Sequence, residues 1–384
     1  MELRGDVSPS ALAPAAAERA AAHLRIVDDV RELERLSQRW SQLAADATPM
    51  QDFVWSHAAA EILAGEGLRV LALERDGRAC ALAPLALRGT TLGRLEALGA
   101  RETGEPFEPI CEDPEALREL LVALVGRGTP FYAERVFADS PLIAALRAAC
   151  AGRAAVITRP AVGCPRILLD AAWRTPESHP GVGRRSDLRR KQRYAERLGA
   201  VSFECHAPAP ERLDALLDEA FRVESAGWKG DAGSGLSRDA RAGAFYRRYA
   251  AEAAGRGILR LFFMRIDGRA VATVVAVECS QSLWTLKIGY DEAYSRCSPG
   301  SLMTRYTIAW AAERGLRSYE FLGTAAAWTR DWTRDERRCV SLRVYPLRPR
   351  GLAAFAADAL AWARDKAAAR FNSRARPETS PRDG

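Results

Sequence analysis

Leu259-Arg-Leu-Phe-Phe-Met-Arg-Ile-Asp-Gly-Arg-Ala270 decides how this chain is organised. An apolar run ends in Asp267-Gly268, a pair suited to the two positive-φ positions of a tight type I′ hairpin, and a second apolar run follows. The same pattern stands 191 residues earlier, as Leu68-Arg-Val-Leu-Ala-Leu-Glu-Arg-Asp-Gly-Arg-Ala79. Each copy follows a helical stretch, about 31–45 and 211–223, and leads to a third short strand and then a helix. In the later stretch Leu213, Leu216, Leu217, Ala220 and Phe221 share one helical face. The 384 residues therefore read as α/β (α+β), with two similar units in tandem at 24–165 and 166–350. Each unit is expected to hold a mixed, mainly antiparallel sheet flanked by helices. A closing Ala-rich helix is placed at 351–371, and disordered tails at 1–23 and 372–384.

The second unit has a specific order of elements. A strand at 166–170 and a basic helix at 186–198 precede the helix at 211–223, a Gly-rich loop at 227–236 and a helix at 239–254. Three meandering strands follow at 258–266, 269–278 and 282–290, then a loop, a helix at 300–314 and strands at 318–322 and 339–345. This order resembles the layout of an acyl-CoA-binding GNAT domain.

Composition excludes several classes. With 48% hydrophobic and 27% charged residues, the chain is neither disordered nor collagenous. The net charge of +7 invites nucleic acid, but all but four of the 56 basic residues are arginine, which fits a coding bias. The scarce lysines, Lys191, Lys229, Lys287 and Lys366, gain interest by contrast. The eight cysteines come no closer than fourteen residues, so no CxxC half-site exists, and they read as reduced core thiols. His23, His57, His179 and His206 show no metal-ligand spacing, and no metal is expected. There is neither a basic start followed by an apolar core nor an uncharged apolar run of ~18 residues. The expectation is a soluble, cytoplasmic protein.

Chemistry concentrates in Lys287-Ile-Gly-Tyr-Asp-Glu-Ala-Tyr-Ser-Arg-Cys-Ser-Pro-Gly-Ser-Leu302. A strand ends at Gly289-Tyr290 and Ser298-Pro-Gly-Ser301 opens a helix, whose first N–H groups favour a phosphate. Gly300 admits a ligand to the backbone, Ser298 or Ser301 can cap the helix or donate to an oxygen, and Arg296 adds charge. An ordinary Ser-Pro-Gly helix start has the same residues, and the strand order before it favours the phosphate. In Ala226-Gly-Trp-Lys-Gly230, Trp228 can cover a substrate and Lys229 can hold an anion; a Trp plugging the domain edge is the alternative. Arg184-Arg-Ser-Asp-Leu-Arg-Arg-Lys-Gln-Arg-Tyr-Ala-Glu-Arg197 is either a solvated helix face or a phosphate contact through Arg189 and Arg190. The terminal helix, with Trp362, Arg364, Lys366 and Arg370, can pack on the body or touch a membrane surface. For acid–base work the candidates are Asp291, Glu320 and Tyr290, then Glu278, Tyr294 and Tyr319. No nucleophile–His order stands out, so direct attack on a thioester fits better than a covalent intermediate.

Together, the basic helix, Trp228-Lys-Gly230, Ile288-Gly-Tyr-Asp291 with Ser298-Pro-Gly300, and Phe321-Leu-Gly323 resemble the GNAT-type acetyltransferases of the cellulose-biosynthesis (CelD/BcsL) family, relatives of the FemAB aminoacyltransferases. The resemblance is strongest over 184–335; Gln51-Asp-Phe-Val-Trp55 and Ala83-Pro-Leu85 resemble the family's N-terminal half. It implies tandem GNAT-like domains with the second one catalytic, acetyl-CoA or another acyl-CoA as co-substrate, and a small-molecule, sugar-linked or cell-envelope acceptor. Tyr290, Asp291, Ser298, Pro299 and Gly300 match the donor-side motif, and Trp228 and Lys229 the loop motif. Lys287 belongs with the substrate-binding residues. The chain departs from the family after Phe321-Leu322: Gly323-Thr-Ala-Ala-Ala-Trp-Thr-Arg-Asp-Trp332 lacks the usual Lys and offers Arg330, which is not its chemical equivalent. Two other readings stay open, an aminoacyl-tRNA-dependent transferase using the Arg-rich helix, and a non-catalytic scaffold. No DNA partner is expected.

Overall fold

Asp76 and Gly77 adopt φ of +50° and +71°, and Asp267 and Gly268 +48° and +77°, so both Asp-Gly pairs turn as their residue types require. The computed structural model describes residues 22–89, 92–179, 185–227 and 239–374. Most of both expected tails, Trp228, Lys229 and the rest of the Gly-rich loop from residue 228 lie outside them.

The first hairpin joins β2 (Val70–Arg75) to β3 (Arg78–Ala83), and with β1 (His23–Val27) they begin a small sheet. Next come β4 (Leu85–Arg88), β5 (Arg94–Ala97), β6 (Ile110–Cys111), β7 (Phe131–Phe137) and β8 (Ala154–Leu168). The later part supplies β9 (Val201–His206), β10 (Leu259–Ile266), β11 (Arg269–Cys279) and β12 (Ser282–Tyr290). It ends with β13 (Ser318–Glu320) and β14 (Glu336–Pro346). The small sheet runs β1-β2-β3-β6; the large one runs β4-β5-β7-β14-β8-β13-β12-β11-β10-β9.

The large sheet spans both units. The expected boundary between residues 165 and 166 falls inside β8, which pairs with β14 up to Pro165 and with β13 beyond it. β14, late in the sequence, inserts between β7 and β8 and so completes the sheet of the earlier unit. The two units also share an aromatic seam. Helix Phe53–Ala59 meets helix Ala240–Gly255, where the Trp55 ring lies edge-on to Phe245 and Tyr249, each at 4.9 Å. Such pairs add to the area term of burial. Beside this seam His57, Glu61 and Glu252 cluster, although their sequence spacing gave no sign of it. Arg248 bonds both carboxylates and balances their charge.

The closing helix, Pro349–Arg374, anchors its first turns on β14: Asp358 accepts from Arg94, Arg343 and Tyr345. Among the described residues, no helix is long and apolar enough to cross a membrane.

Candidate functional site

One local event in the large sheet creates the site. β12 and β13 run parallel from Ser282 opposite Ser318 to Trp284 opposite Glu320, and there the pairing stops. Thr285 ties the last point of contact, donating its hydroxyl to the carbonyls of Glu320 and Phe321 at 3.0 and 3.1 Å. Beyond it, Leu322 and Gly323 take φ of +51° and +47° and lead the chain away. A leucine in the left-handed region is strained, and such strain persists where the surroundings over-determine it.

The diverging ends open a cavity of about 260 Å³. Ile288, Gly289 and Tyr290 line it from β12, and Ser295 from the following turn. Ser298, Gly300, Ser301 and Thr304 belong to helix Pro299–Glu313 and its start, and Trp328 closes one wall. Glu224 and Gly227 enter from the end of helix Pro210–Ser225. That helix sits this close because residue 289 has no side chain: a Cβ there would overlap the Glu224 backbone. Likewise, a Cβ on Gly300 would stand 3.1 Å from the Tyr290 ring.

Ser298 marks the helix start with φ +49°, and its side chain makes no capping bond. Its carbonyl instead accepts the N–H of Ser301 at 3.0 Å. The first turn contains no acidic residue. It thus has the partial positive charge that a phosphate needs, with no acid of its own first turn competing for it.

Of the residues expected from sequence, Tyr290, Ser298, Gly300 and Ser301 come together at the cavity. Burial, helped by Glu292, holds the Tyr290 phenol above its ordinary pKa. Arg296 is exposed, and its carbonyl accepts from Lys191 Nζ at 2.9 Å, which fastens helix Arg185–Leu198 to the cavity rim. Arg189 and Arg190 stand exposed on that helix, Arg190 paired with Asp187.

Three other expected residues do not line the cavity. Asp291 caps the turn after β12: one oxygen accepts from the Ala293 N–H at 3.0 Å and the other from Arg269 at 2.8 Å. Both oxygens are thereby engaged. Glu320 is buried, its carboxyl accepts from Ser318 at 2.7 Å, and burial pushes its pKa up. Lys287, on the strand face opposite Ile288, places Nζ 4.4 Å from the Tyr246 ring centre. The remaining candidates are also occupied: Glu278 by Arg260 and Arg314, Tyr319 by Thr307, and Tyr294 by the Arg269 guanidinium over its ring.

Glu224, only 2% exposed, was not among the residues expected from sequence. A signal existed. Leu213, Leu217, Ala220 and Glu224 form one continuous stripe on the helix, so an acid ends a row of core positions. Trp328 was missed too, although a lone Trp follows three alanines there.

Residues 183–332 match a family model described as an acetyltransferase (GNAT) domain. No protein of curated function matches the sequence significantly. Among solved structures, the chain is similar to the C-terminal DUF2156 domain of an Agrobacterium fabrum protein named as a lysylphosphatidylglycerol synthetase. That match has 12% identity and a TM-score of 0.54, covering 85% of this chain and 97% of the other. A conserved protein of unknown function from Bacteroides thetaiotaomicron VPI-5482 gives 11% identity, TM-score 0.55 and coverage of 84% and 99%. FemX gives 12%, 0.52, and 81% and 96%. At these identities the likeness is one of fold. The chain has the GNAT acyltransferase fold, built as two GNAT-like units in tandem on mixed sheets flanked by helices.

Proposed function

We propose that the chain is an acyl-CoA-dependent N-acyltransferase working by direct attack on the thioester. The observation behind this reading is the cavity at the split between β12 and β13, which joins an acid-free helix start, a buried carboxylate and a phenol. The Gly300 N–H at the helix start, with the hydroxyls of Ser298 and Ser301, binds the donor's pyrophosphate, and its thioester arm runs between Tyr290 and Trp328. Among the described residues, Glu224 is the one acid that lines the cavity. It takes a proton from the acceptor's ammonium group; the amine nitrogen then bonds to the acyl carbon and the C–S bond breaks. The phenol of Tyr290, kept protonated by burial, gives its proton to the departing thiolate, and the surplus proton that the nitrogen sheds as the amide forms returns to the phenolate. The cell-envelope precursors implied by the resemblance to the CelD/BcsL family are one class of amine-bearing acceptor. Acetyl-CoA at ~100 times its dissociation constant should stabilise the protein by about 2.7 kcal/mol, read as a rise in Tm. No rise with any acyl-CoA would overturn the proposal.

A second reading has its own observation. The exposed arginines of helix Arg185–Leu198 flank the cavity rim, where a tRNA-borne donor would lie. That reading expects salt-sensitive tRNA binding, lost when Arg189, Arg190 and Arg193 are neutralised.

A further inference from the structure

The closing helix, Pro349–Arg374, turns its large apolar side chains outward. Gly351, Ala354 and Asp358 face the large sheet: Ala354 is buried, and Asp358 is fixed by Arg94 of β5 and by Arg343 and Tyr345 of β14. Leu352, Ala356, Leu360 and Ala363 lie at helical spacing on the opposite side, where Leu352 and Leu360 are 55% and 54% exposed. Phe355 and Trp362 flank this stripe, and Leu347 stands just before the helix; all three are exposed. Among the described residues nine large apolar side chains are exposed, and these five fall within one stretch of sixteen residues. Alanine occurs on every side of the helix, so the large side chains mark its outward face. Exposed leucines scattered singly need no partner, but a cluster of this kind marks an interaction surface.

The charge beside the patch selects what covers it. Arg159 of β8 stands 4.9 Å from the centre of the Trp362 ring and Lys366 5.2 Å from it, and Arg364 is exposed within the same turn. From Leu347 onward the sequence holds eight basic and four acidic residues, and one of the four, Asp358, is committed to the sheet. A second copy docked through the same face in a symmetric pair would set these cations against their own copies. A layer of acidic headgroups neutralises them instead, while the acyl boundary beneath takes up the leucines and the Trp362 ring, which suits that depth. At 26 residues the helix is ~39 Å long, and it is not apolar enough to cross a membrane.

We propose that the outward face of the closing helix is a docking surface for an anionic phospholipid bilayer. The helix lies in the plane of the interface, with Leu352, Leu360 and Trp362 entering the acyl boundary and Arg159, Arg364 and Lys366 on the headgroup phosphates. Nothing in the acyl cavity takes part, so docking is separable from the N-acyltransferase reading.

The test floats the full chain with vesicles of phosphatidylcholine and phosphatidylglycerol, about two to one, and with vesicles of phosphatidylcholine alone. The protein should float with the first and stay in solution with the second, and high salt should release it. Leu352→Ser combined with Leu360→Ser should lower the partition coefficient by on the order of tenfold or more. Tm should fall little, because both side chains are exposed. Arg364→Gln combined with Lys366→Gln should weaken binding and flatten its salt dependence. No flotation with the anionic vesicles, flotation that the serine pair leaves unchanged, or equal binding to both vesicles would overturn the proposal. So would a lipid-free dimer in sedimentation that the same serine pair dissociates, which would give the face to a second copy.

Discussion

Each unit has a cavity where a helix end, a strand end and the start of the next helix meet, and the two have opposite character. In the first, Gln42 and Leu43 end helix Ser37–Leu43, Pro109–Cys111 form the strand edge, Ser140-Pro-Leu142 begin helix Pro141–Cys150, and Leu117 comes from helix Pro114–Gly126. That helix begins Asp113-Pro-Glu115, and the Asp113 carboxylate accepts the Ala116 N–H at 2.6 Å. Asp46 and Glu108 add further acid to the lining. In the second cavity the corresponding helix begins Ser298-Pro-Gly-Ser301, without an acid and without a side-chain cap. Helix Pro114–Gly126 thus has a start neutralised by its own carboxylate, and helix Pro299–Glu313 one left for an external anion.

Four changes would break or sharpen that contrast. The largest effect is expected at Glu224, whose place in the first cavity is taken by Gln42 and Leu43. Glu224→Gln should lower kcat on an accepted amine by about 10²–10⁴-fold while acetyl-CoA affinity holds. An equal loss of affinity would instead make Glu224 part of the donor site. Next is Ser301→Glu, which imposes the acidic start of the first unit on the second. A glutamate in the first turn suits the helix dipole, so the fold should persist, while the acetyl-CoA-induced rise in Tm, about 2.7 kcal/mol at 100 times Kd, should disappear. Retention of that rise would place the pyrophosphate elsewhere. Third, Asp113→Ala should cost about 1 kcal/mol in denaturant unfolding by removing a cap, without conferring acetyl-CoA binding on the first unit.

The smallest effect concerns the seam between the units. His57 Nδ1 lies 2.7 Å from a Glu252 oxygen, and this contact raises the imidazole pKa above its ordinary value. A raised value means that the folded state binds the proton more tightly. The resulting stability is complete below about pH 6.5 and is lost as pH rises through the folded-state value. His57→Gln should therefore flatten the fall of Tm across that window. A variant as steep as the parent protein would remove His57 from the account.

Much of the second unit was legible. The Asp-Gly turns fix their own φ values, and the expected helices at 211–223 and 239–254 were found as Pro210–Ser225 and Ala240–Gly255. The strands expected at 258–266, 269–278 and 282–290 differ from β10, β11 and β12 by at most one residue at either end. Local patterns carry these elements because periodicity and turn chemistry act over a few residues. The candidate site was legible in part. Ser298, Gly300, Ser301 and Tyr290 surround one motif, whereas Glu224 lies some seventy residues earlier and was masked by the apolar stripe it ends. Asp291 looked catalytic because it follows a strand, but only its contacts with Ala293 and Arg269 show that both oxygens are engaged.

By itself, then, the sequence determined the tandem repeat, the hairpins, the helix that begins without an acid and the absence of a nucleophile–His order. Each depends on backbone preferences or on neighbours within a turn or two. Tertiary structure alone decided that β14 joins the first unit's strands, that β12 and β13 part after Trp284 and Glu320, and that Glu224 lines the cavity they open. Pairing and burial of that kind join residues far apart in the chain, and the free energy that selects them belongs to the assembled sheet rather than to any segment of it.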